Sequence, residues 1–97
     1  MNGGLTTMPK FLAIHPLSAP ATVEEATPVG KAAKANSTVD AYWVRSWAQM
    51  DENGKITKIL CEWNGANIDA VRSVLSKVQV PLEGVYPMMV IDSEDFR

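Results

Sequence analysis

One cysteine, one histidine and no run of basic residues leave several chemistries without raw material. A single cysteine, Cys61, excludes an intrachain disulfide framework and suits a reducing compartment. There is no CxxC, no HExxH and no second histidine, so the sequence holds no local metal motif. The six glycines are scattered as punctuation rather than gathered into a phosphate-cradling loop. A net charge of -2 without a basic patch argues against a nucleic-acid partner. No apolar stretch approaches the roughly 20 residues of a membrane span. The opening MNGGLTTMPK has neither the basic start nor the apolar run of a signal peptide. The expectation is a cytoplasmic protein with no membrane partner.

What is present suits one ordinary domain: 97 residues, 46% hydrophobic and 21% charged. Residues 1–7 read as a flexible tail and residues 8–97 as the domain. The stretch that organises the rest is Asp40 to Gly65, two arms joined at Asn53-Gly54. Asn-Gly is a strong hairpin signal because both residues tolerate positive φ. All three tryptophans lie in these arms.

Before the hairpin, Lys10 to His15 is a short apolar run that stops at Pro16, a first strand, with Leu17 to Ala21 as loop. Thr22 and Glu25 have the spacing of a capping box, which predicts a helix over Val23 to Ala35 despite Pro28 and Gly30. After the hairpin, Ile68, Val71, Val74, Leu75 and Val78 form one apolar stripe in a helix over Ala66 to Lys77. Val85 to Ile91 closes as a strand, followed by a polar tail that Phe96 could anchor. The order β-α-β-β-α-β predicts an α+β, ferredoxin-like fold: a four-stranded antiparallel sheet with both helices on one face.

Alternation along the hairpin sorts Trp43, Arg45, Trp47 and Gln49 onto one face, opposite Tyr42, Val44, Ser46, Ala48 and Met50. A two-residue turn pairs Arg45 with Glu62 and Ser46 with Cys61, which places Ile59, Cys61 and Trp63 toward the helices. Leu60 and Glu62 then join Arg45 on the open face. Indoles beside opposed charges match an interface or a small-ligand pocket. The expected site is a cavity on the open face lined by His15, Trp43, Arg45, Trp47 and Glu62. Arg45 would orient an anionic group, and a homodimer through that face would close the cavity.

The stretches MPKFLAIHP, DAYWVRSWAQ, ILCEWNGANIDAVRSVL and LEGVYPMMVIDSEDF resemble a group of small proteins of unknown function related to a nickel-responsive, nickel-binding bacterial protein. That resemblance covers nearly all of Met8 to Arg97. It implies a ferredoxin-like fold, dimerisation through the sheet as in dimeric α/β-barrel proteins, and binding of a metal or small molecule. For nickel, His15 and Glu62 are the donors to test first. Two other readings compete: an enzyme of the dimeric α/β-barrel type with His15 as general base, and a purely structural interaction module.

Overall fold

The computed structural model describes residues 8–97. The tail expected over residues 1–7 lies outside them. The elements run β1 (Lys10–Ala21), α1 (Val23–Asn36), β2 (Ala41–Met50), β3 (Ile56–Gly65), α2 (Ile68–Leu75), β4 (Gly84–Met88) and a short 3-10 turn (Ser93–Phe96). All strand pairs are antiparallel and the sheet order is β2-β3-β1-β4. This is the ferredoxin-like α+β arrangement that the element order dictates.

β1 is twice the expected length. It pairs with β3 from Lys10 to Pro16, then overhangs, and touches β3 again only at Ala21 opposite Ile56. Extended backbone is compatible with Pro16 and Pro20; what they lack is an N–H for the ladder. β4 stops short of the expected Ile91, because its partner β1 begins at Lys10, opposite Met88. Past that point Met89, Val90 and Ile91 are exposed, and so is Phe96, which does not anchor the tail within this chain.

α1 is a single helix. Thr22 Oγ1 accepts from Glu25 N at 3.1 Å and Glu25 Oε1 accepts from Thr22 N at 2.8 Å, so the capping box closes. Pro28 lies within the helix without ending it. α2 begins two residues later than the stripe suggested, because Asn67 Oδ1 takes up Ala70 N at 2.8 Å as N-cap. Its Val71, Val74 and Leu75 are buried with Phe11, Ala13, Trp63, Val78 and Val85 in the core between α2 and the sheet. Gly65 lets α2 come close: a Cβ there would stand 2.6 Å from Val71 Cγ2.

The hairpin turn is wider than two residues. Met50 pairs with Ile56, and the loop between them is held by Asp51, whose Oδ1 accepts from Asn53 N and Lys55 N. Only Gly54 takes positive φ, at 75°. An extra residue at Thr57 on β3 then shifts the ladder, so that Gln49 meets Lys58, Ser46 meets Cys61 and Arg45 meets Glu62. A second extra residue, Val44 on β2, shifts it back and brings Trp43 opposite Trp63. The middle register is as expected; both ends are not.

Candidate functional site

The bulge at Val44 redistributes the expected site. Because a bulge inserts one residue into the two-residue alternation, the side chains beyond it change faces. Trp43 therefore lies on the helix side with Trp63, and its ring reaches α1, where a Cβ on Gly30 would be 3.6 Å from Trp43 Cη2. Tyr42 moves the opposite way, and its hydroxyl accepts from Asn64 Nδ2 at 2.9 Å on the open face. His15 pairs with Ile59 and so shares the helix side with Cys61 and Trp63. Arg45, Trp47 and Glu62 stay on the open face. The five expected residues are divided by the sheet: His15 and Trp43 on one side, Arg45, Trp47 and Glu62 on the other.

On the open face, Glu62 is 3% exposed and accepts at both oxygens. Lys10 Nζ lies 2.6 Å from Oε2, and Arg45 Nε lies 3.1 Å from Oε1. Lys10 also donates to Asn64 Oδ1 at 2.8 Å, extending the network through Asn64 to Tyr42. Two cations on one sunken carboxylate leave a net positive cluster. Around it stand Trp47, 51% exposed, and Tyr86, 45% exposed. Lys10 and Asn64 were missed by sequence reasoning. The β1–β3 register that sets Lys10 opposite Asn64 is what brings them in.

The helix side holds the cavity. It is half-open and holds about 260 Å³ between α1 and the sheet, with His15, Trp43, Ser46, Ile59, Cys61 and Trp63 among its walls. Its origin is legible in α1. The residues α1 turns inward include Ala26, Gly30 and Ala33, at helical spacing, and these small side chains leave space where larger ones would fill it.

Few polar atoms border this space. Trp43 Nε1 donates to Ser46 Oγ at 2.8 Å, and Ser46 Oγ donates to Cys61 Sγ at 3.0 Å, a satisfied chain. Burial pushes the Cys61 thiol above its ordinary pKa, against a smaller opposing effect of the Ser46 hydrogen bond, so it stays a thiol at neutral pH. His15 is 3% exposed. Its Nδ1 lies 2.8 Å from the Pro81 carbonyl oxygen, so Nδ1 carries the proton and donates. That bond ties the segment after α2 to β1. Desolvation lowers the His15 pKa, and the Pro81 bond offsets only part of the effect. The neutral ring leaves Nε2 as an acceptor with no partner among the described residues. Trp63 Nε1 is a sealed donor without a partner among the described residues.

The metal expectation does not fit this geometry. His15 and Glu62 face opposite sides of the sheet, and both Glu62 oxygens are taken by Lys10 and Arg45. Among the described residues no three His, Cys, Asp or Glu side chains gather. Within the cavity wall only His15 and Cys61 have donor atoms for a soft metal, and neither is charged.

Fold and site together define a ferredoxin-like domain with an apolar cavity under its first helix. The comparisons agree on the fold. The structure is similar to SCO4226 of Streptomyces coelicolor A3(2), with a TM-score of 0.69 and 15% sequence identity, over 86% of this chain and 99% of that one. No protein-family model matches the sequence, and no curated protein matches it. No helix among the described residues is long and apolar enough to cross a membrane.

Proposed function

We propose that the protein is a small-molecule binding protein and that its ligand sits in the cavity between α1 and the sheet. The observation that carries this reading is the cavity itself, about 260 Å³ with His15 in its wall, whose ring is neutral and whose Nε2 has no partner among the described residues. An apolar space with one or two placed polar atoms is the usual form of a small-ligand site. A cavity of ~150 Å³ accommodates benzene, so this one takes a molecule about the size of a fused bicycle. Catalysis by His15 as general base is the weaker reading, because the only other titratable side chain in the wall is Cys61, held as a thiol. The setting proposed is cytoplasmic, which suits an unpaired Cys61.

The test is thermal unfolding of the protein and of Ala26→Leu with a set of uncharged aromatic fragments. Filling the space should raise the melting temperature of Ala26→Leu alone and abolish the shift that fragments give the parent. If no fragment shifts the parent, the reading fails.

A second reading concerns assembly, and a separate observation favours it. The open face presents Trp47 and Tyr86, and the segment after β4 presents Met89, Val90, Ile91 and Phe96, all exposed in one chain. We propose that two copies pair through this face, as in a dimeric α/β-barrel arrangement, with the segment after β4 packing on the second copy. Nickel is not carried forward in this proposal, since the residues named for it are on opposite faces.

A further inference from the structure

We infer that the ligand of this cavity is an uncharged, mainly apolar molecule carrying one O–H or N–H donor, which it gives to His15 Nε2. The inference rests on the cavity being the binding site and adds what chemistry the site selects.

Three observations lead there. First, none of the residues lining the cavity carries a charge, and the charged cluster of Lys10, Arg45 and Glu62 is on the far side of the sheet. A carboxylate or phosphate moved into this space would lose its hydration with no counter-charge to replace it. Second, the Trp43–Ser46–Cys61 chain already satisfies itself, so it makes no demand on a ligand. Third, the polarity at His15 is fixed by its other nitrogen. With Nδ1–H committed to Pro81 O at 2.8 Å, Nε2 can only accept. A ligand that brings only acceptors leaves that lone pair unmatched, while a donor completes it. A hydroxyl is one such donor.

The experiment uses three probes of one shape: 2-naphthol, naphthalene and 2-naphthoate, at pH 7.5, where the first is neutral and the last ionised. Affinity is read by calorimetry on the parent protein. Because His15 is the sole histidine, its ring nitrogens give one pair of ¹⁵N resonances, which report a hydrogen bond without any substitution. The expected result is saturable binding of 2-naphthol, about fivefold or more weaker binding of naphthalene, no binding of 2-naphthoate, and a shift of the His15 Nε2 resonance with 2-naphthol alone. Equal binding of naphthol and naphthalene with an unmoved His15 would overturn the donor requirement and leave the cavity reading standing. Tightest binding by 2-naphthoate would overturn the requirement for neutrality. No binding by any probe, with Ala26→Leu no more stable than the parent, would overturn both.

Discussion

Trp43 and Trp63 stand opposite each other across β2 and β3, both on the helix side, because Val44 bulges between Trp43 and Arg45. Trp47, four residues along the same strand, is on the other face, opposite Leu60. The two β2 tryptophans thus have different work. Trp43→Ala removes packing against α1 and is expected to destabilise the monomer by about 2–4 kcal/mol. Trp47→Ala should change monomer stability by less than about 1 kcal/mol and weaken self-association instead. Urea unfolding and sedimentation equilibrium on both variants separate the two effects. Loss of monomer stability in Trp47→Ala equal to that in Trp43→Ala would contradict the face assignment.

Glu62 is the hub of the open face, and its two cations are more exposed than it is. Glu62→Gln keeps the shape and removes the charge. It is expected to cost about 1–3 kcal/mol in urea unfolding, with a smaller cost for Arg45→Met, since that guanidinium is well exposed.

The lowered pKa of His15 links stability to pH. Its ordinary value is 6.5 and its folded value lies below that. Between the two the unfolded chain binds more protons, so stability rises with pH through that window. His15 therefore leaves stability intact above about pH 6.5 and erodes it as pH falls through the folded pKa. In a series of urea midpoints from pH 8 to pH 5, the parent should fall away faster than His15→Phe. Parallel curves would mean the imidazole stays solvated.

Two glycines make opposite predictions. A Cβ on Gly30 meets only ordinary contacts with Trp43, at 3.6 and 3.8 Å, so Gly30→Ala should raise helix stability by about 0.5–1 kcal/mol. A Cβ on Gly65 would lie 2.6 Å from Val71 Cγ2, so Gly65→Ala should lower the melting temperature by pushing α2 off the sheet. Calorimetry of both reads the difference directly.

Much of this was legible in the residues. The capping box at Thr22, the stripe of α2 and the Arg45–Glu62 and Ser46–Cys61 pairs all express local periods that a sequence carries openly. The bulges were not legible. Val44 and Thr57 are ordinary strand residues, and what makes each one extra is the partner across the ladder. One inserted residue was enough to exchange the faces expected for Trp43 and Tyr42; His15 leaves the expected group for a separate reason, its register opposite Ile59 on β3. The overhang of β1 was hidden by reading Pro16 as a stop, when its missing N–H only matters where a partner asks for one.

The small residues of α1 also bear on time. Of the fourteen residues in this helix only Ala33 is buried, whereas α2 buries three in eight. Little apolar surface holds α1 down, so it belongs to the part of the molecule that opens first, well below the cost of global unfolding. Amide exchange should therefore run faster along α1 than along β3. A molecule seated beneath such a helix would rest on a wall that itself opens, so substitutions on the outer side of α1 would tune how long it stays as well as how tightly it binds.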